Sequence, residues 1–121
     1  MNNSETCFDL EERTIRFARM VRVFIKELKI STSNIEDGKQ LIRSSGSVGA
    51  NYIEANESLG FKDQIYRFKI CKKEARESRY WLRLINCFSD QVFESRRSCL
   101  VQEATELIKI FSAIVKKLES K

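Results

Sequence analysis

Six cations recur along one stretch of the chain: Lys62, Lys69, Lys72, Arg76, Arg79 and Arg83, separated by 7, 3, 4, 3 and 4 residues. At about 100° per residue these positions share one helix face, within roughly 100° of arc. The ridge they form is about 32 Å long at a rise of ~1.5 Å per residue. Such a line of positive charge can follow a phosphate backbone, with binding that weakens as salt rises. It can equally be an ordinary solvated face, partly neutralised by neighbours such as Glu77. Arg13, Arg16, Arg19, Arg22 and Lys26 give an earlier segment a broader basic side, a second candidate surface. Phe61 and Phe68 fall nearer the ridge than the apolar stripe of the same segment. Aromatic rings beside cations can stack on bases or build an oligomer contact. The second use needs fewer assumptions, because a small bundle with apolar residues on two faces usually associates.

Enzymatic chemistry finds little to work with. The chain has no histidine, so there is no imidazole base and no Ser-His or Cys-His dyad. No P-loop or dinucleotide fingerprint occurs, and the Glu-x-x-His pairs of a di-iron bundle are missing. Carboxylate pairs stand at Glu54/Glu57 and Glu74/Glu77, but at i, i+3 on a helix these read as salt-bridge partners. The cysteines, Cys7, Cys71, Cys87 and Cys99, form no CxxC pair, which argues against zinc; they read as reduced, mostly buried thiols. The expectation is a protein that is not an enzyme and needs no metal or cofactor.

The elements that must carry these residues are helical. The chain has 121 residues, no proline and only four glycines; the turns of a sheet protein lean on both. Leu10, Phe17, Val21, Phe24 and Leu28 predict a helix over 9–28. Leu41, Val48, Tyr52, Ala55 and Leu59 predict a second over 35–58, after N-cap candidates in Ser31-Thr32-Ser33-Asn34. Two glycines inside that helix, Gly46 and Gly49, each cost roughly 1 kcal/mol relative to Ala. Because the apolar spacing keeps phase across them, the helix is expected to continue, with a neighbouring backbone close by. Gly60 reads as a left-handed helix stop. A third helix over 62–88 buries Cys71, Ala75, Ser78, Trp81, Leu82 and Ile85. The fourth, over 92–118, has a heptad-like seam of Leu100, Ala104, Leu107, Phe111, Ile114 and Leu118. Four such helices with short connections predict one all-α domain, an antiparallel up-down-up-down four-helix bundle.

Polar residues also stand where apolar ones belong. Glu74 projects into the buried side of the third helix, and Arg43, Ser47, Asn51 and Glu54 run beside the apolar stripe of the second. A buried carboxylate needs a cation and hydrogen bonds, so Arg43 is expected to pair with Glu74 or Glu77. Such a network fixes register more readily than it performs a function. If the partner is fully buried, Arg43→Ala should lose several kcal/mol.

Two ordered segments carry a resemblance. Gln40-Leu41-Ile42-Arg43-Ser44 with Ser47-Val48-Gly49-Ala50-Asn51-Tyr52-x-Glu54-Ala55, and then Lys73-Glu74-Ala75-x-Glu77-Ser78-x-Tyr80-Trp81-Leu82, resemble the bacterial four-helix bundle proteins encoded by intervening sequences of 23S rRNA genes, also called the S23 ribosomal protein family. The resemblance implies a four-helix up-and-down fold and ring-shaped homo-oligomers, most often pentamers. It also implies kinship with accessory proteins of diversity-generating retroelements, basic rings that engage nucleic acid and a reverse transcriptase. The expected function is therefore a homo-oligomer binding RNA or DNA backbones through its basic faces. The alternative is a protein scaffold or reverse-transcriptase accessory that does not touch nucleic acid. The formal charge of +5 suits an anionic partner. No apolar stretch approaches a membrane span, and a cytoplasmic location is expected.

Overall fold

Four helices account for nearly all of the chain in the computed structural model, which describes the backbone of residues 3–121 and the side chains of residues 10–121. They are α1 (Asn3–Glu27), α2 (Thr32–Asn56), α3 (Phe61–Leu84) and α4 (Gln91–Glu119), and no strand occurs among the described residues. Cys7, one of the four thiols, lies outside the described side chains. Each helix packs on the next and α4 returns to α1, with α2 and α3 joined most extensively and α1 and α4 least. The short connections make consecutive helices antiparallel, giving an all-α four-helix bundle. No helix of the described chain is long and apolar enough to cross a membrane.

Caps fix where helices start. Ser31 accepts a hydrogen bond from the Asn34 amide and opens α2 three residues before the predicted start. Asp90 accepts from the amides of Val92 and Phe93 at 2.9 and 3.1 Å and opens α4. Two expected ends are corrected. Gly60 is not a left-handed stop: α2 has already ended at Glu57, and Gly60, with φ −128°, is the N-cap of α3. Leu59, expected in the α2 stripe, consequently sits fully exposed. α3 ends at Leu84 rather than 88, because tertiary hydrogen bonds capture the chain there. The Asn34 side chain donates to the Asn86 carbonyl and accepts from its amide, both at 2.9 Å. Arg97 donates to the Ile85 carbonyl, and Phe88 and Ser89 then turn at positive φ.

The core follows the stripes. Phe17, Val21, Phe24, Leu41, Val48, Leu82, Leu107 and Phe111 are essentially without solvent contact. Tyr52, Phe68 and Phe111 join α2, α3 and α4 with ring centroids 6.2–6.3 Å apart, tilted contacts of the kind that add about 0.5–1.5 kcal/mol to area burial. Phe68 is thus a core residue, not an aromatic beside the ridge, while Phe61 is half-exposed. In α4, Val115 takes the buried place that the heptad spacing assigns to Ile114. Cys71 and Cys87 are buried free thiols, and desolvation pushes them up to about 12 and about 11, so neither holds a reactive thiolate near neutrality.

α2 runs unbroken through Gly46 and Gly49. A methyl at Gly49 would stand 2.8 Å from Thr14 Oγ1 and 3.1 Å from its Cβ on α1, and Thr14 is itself buried, with its hydroxyl donating to the Glu11 carbonyl. Gly49→Ala is therefore expected to destabilise the fold by about 1–3 kcal/mol, overriding the ~1 kcal/mol that helix propensity returns. Thr14→Ala in the same chain should recover part of the loss. Urea denaturation of the two single variants and the double variant measures the coupling, and strictly additive effects would refute the close contact.

Candidate nucleic-acid interface

α3 turns its apolar side to α2 and α4 and leaves cations on the rest of its circumference. Lys69, Lys72, Lys73 and Arg76 line a groove of about 790 Å³ with Glu77, Tyr80 and Trp81 of the same helix and Val115 and Glu119 near the end of α4. Tyr80 is 57% exposed; its ring meets that of Trp81 edge-on, centroids 5.1 Å apart at 75°. Trp81, expected among the buried residues, is only half-buried and forms part of the groove wall. Lys69 reaches Glu119 at 3.0 Å, both ends half-exposed.

The predicted ridge is thus divided. Lys69, Lys72 and Arg76 face the groove, whereas Arg79 donates to Thr105 Oγ1 of α4 at 3.2 Å and is half-buried. Lys62, in the first turn of α3, and Arg83, in the last, are exposed and do not line the groove. Lys73 was missed, although Lys69, Lys73, Arg76 and Tyr80 follow one another at 4, 3 and 4, a spacing that marks them as one stripe.

The basic side of α1 is mostly engaged or scattered. Arg13 grips Glu103 of α4 through two hydrogen bonds of 2.7 and 2.9 Å. Arg22 donates to the carbonyls of Ala18 and Ile42 while remaining exposed, as are Arg16, Arg19 and Lys26. Arg19 borders an apolar furrow of about 350 Å³ between α1 and α4, with Met20, Val23, Arg96 and Cys99.

The polar stripe of α2 resolves into separate contacts. Arg43 stands 4.0 Å from Glu74 and 3.9 Å from Glu77. Asn51 donates to the Ser47 carbonyl and accepts from Arg67, a participant the sequence reading missed, and Glu54 is exposed. Below Glu74, the hydroxyls of Ser44 and Ser78 share a buried 2.9 Å hydrogen bond.

Residues 8–113 match the pattern of the 23S rRNA-intervening sequence proteins. The chain belongs to that family. The crystal structure of a protein of unknown function from the S23 ribosomal protein family of Bacteroides thetaiotaomicron superposes with a TM-score of 0.71 at 28% identity, over 88% of this chain and 97% of that one. No curated protein matches the chain.

The two segments that carry the family resemblance meet across the α2–α3 contact, where Arg43 faces Glu74 and Glu77. Arg43 is about half-exposed and touches Glu74 only at the limit of an ion pair. The several-kcal/mol loss expected for Arg43→Ala is therefore lowered to about 1 kcal/mol, the range of a solvent-screened pair. Glu74 is the sensitive member. Its Oε1 is buried without a hydrogen-bond partner. Burial, then hydrogen bonding with Glu77 and the charge of Glu77, raise its carboxyl above the usual carboxylate range, against the pull of Arg43 and Lys73. A carboxyl raised in the folded state binds its proton more tightly there than in the unfolded chain. Its contribution is therefore most favourable at acid pH and is lost as pH rises from the ordinary glutamate value through the raised one. Glu74→Gln should remove that pH dependence: relative to wild type, the variant gains stability as the pH rises from 4 to 8. Parallel melting curves across that range check it, and a constant difference would contradict it.

Proposed function

We propose that this family member is a non-catalytic, cytoplasmic homo-oligomer, a pentamer by its family likeness, that binds nucleic-acid backbones through the α3 face. The observation that supports this is the groove itself: Lys69, Lys72, Lys73 and Arg76 converge beside Tyr80 and Trp81. Among the described residues Lys72, Lys73 and Arg76 have no carboxylate within 4.0 Å, whereas Arg13, Arg43, Lys69, Arg96 and Arg97 all do. Cations without a close carboxylate are best placed to serve an external anion, and phosphate binding of this kind needs no sequence preference. Arg16 and Arg19 on α1 are the weaker candidate surface.

A protein partner, such as a reverse transcriptase, is the second reading. The furrow between α1 and α4 favours it, since Met20 and Val23 there are half-exposed; the same surface suits contact between subunits.

Fluorescence anisotropy with labelled RNA and DNA oligomers tests the first reading. Affinity should fall steeply between ~50 and ~200 mM salt. Lys72→Glu combined with Arg76→Glu should abolish binding and Arg16→Glu should change it little; no binding at low salt removes the proposal. Light scattering should separately give a mass well above the 14.2 kDa of one chain, and a monomer would remove the oligomer.

A further inference from the structure

We infer that the α3 groove takes single-stranded nucleic acid, with an unpaired base stacked on Tyr80 and the adjoining phosphates on Arg76 and Lys73. The inference rests on the phosphate-binding reading above and narrows it. In a duplex the base faces are hidden in the stack, so a protein that only follows phosphates gains nothing from an exposed ring in its groove. Here the exposed ring lies among the cations. Tyr80 is 57% exposed, its ring held at 75° to the indole of Trp81 with centroids 5.1 Å apart, and lines the same groove as Lys69, Lys72, Lys73 and Arg76. Arg76 precedes Tyr80 by four residues, about 6 Å along the helix axis, so one nucleotide can place its base on the ring and its phosphate on the guanidinium. A groove of about 790 Å³ is wide enough for a nucleotide-sized ligand, since small-molecule sites run from about 300 to 1,000 Å³.

The two carboxylates in the groove do not close it. Glu77 is drawn to Arg43 at 3.9 Å. Glu119 spans the mouth to Lys69 at 3.0 Å with both side chains about half-exposed, and a phosphate can displace a pair so weak.

Trp81 is the single tryptophan of the chain, so its emission reports directly on the groove. The experiment titrates the full chain with unlabelled thymidine and uridine oligomers and with a duplex of equal length, following Trp81 emission and, in parallel, anisotropy. Single strands should perturb the emission and bind more tightly than the duplex. Tyr80→Ala should weaken single-strand binding about tenfold, as loss of one base stack does, and leave duplex binding unchanged; Tyr80→Phe, which keeps the ring, should bind as wild type. Circular dichroism of the variants verifies that the exposed substitution leaves the helices intact. Equal affinity for single strand and duplex, or a Tyr80→Ala variant that binds single strands normally, overturns this inference and leaves phosphate binding standing. If neither nucleic acid binds, both readings fall.

Discussion

Where α2 crosses α1 at Gly49, there is no room for a side chain: a Cβ there would meet Thr14 at 2.8 Å, whereas one at Gly46 would meet only the movable end of Arg22 at 3.2 Å. Each glycine weakens an isolated helix by roughly 1 kcal/mol, so α2 would be a poor helix alone. It is held by what it touches: α1 on its glycine side, α3 on its serine side, where Ser44 and Ser78 share a hydrogen bond with no solvent access. Small residues let two helices approach α2 at once, and that approach sets the spacing of the bundle.

A tight α2 has a consequence for α3. Much of the inward arc of α3 is occupied by small or polar residues, Cys71, Glu74, Ala75 and Ser78, so its apolar anchors are few: Phe68, Leu82 and, just past its end, Ile85. The remaining circumference carries charge. α4, in contrast, contributes Leu100, Leu107, Phe111 and Val115 to the core and covers only part of α3, which leaves Trp81 half-covered and the groove open. The candidate interface is thus the outer half of a helix whose inner half was given over to close packing.

How much of this was legible in the sequence depended on whether a feature is set locally. Stripes at helical spacing located all four helices, and the constant phase across Gly46 and Gly49 showed α2 to be continuous. The end of α3 was not legible, because it is set by Asn34, 52 residues away, capturing the backbone of Asn86. Phe68 was misplaced for a related reason: a helix packed by two neighbours buries a wider arc than a single stripe, and residues at its margin fall inside. Trp81 erred the other way, since the covering helix does not extend over it. Lys73 was readable from spacing but was hidden by a regular run of cations one position away.

The distribution of ion pairs separates structural cations from those left for a partner. Arg13–Glu103 and Arg96–Glu27 both join α1 to α4, the seam with the least packing, and Arg96 also lies 5.6 and 5.1 Å from the rings of Phe24 and Phe93. Arg97 holds Glu94 and the carbonyl of Ile85. At the α1–α4 seam Arg13 and Arg96 supplement a thin apolar contact, and each such exposed or half-exposed pair contributes at most about 1 kcal/mol. Removing charge from that seam would weaken the fold before it altered any outer surface. Along α3 the relation is weaker: among the described residues Lys72 and Arg76 hold no carboxylate within 4.0 Å, Lys73 offers Glu74 only its through-space charge, and the mutual repulsion of the three is poorly offset. An external polyanion would relieve that repulsion while gaining three positions already fixed on a rigid helix. Binding there and stability should therefore rise together, which a merely solvated face would not produce.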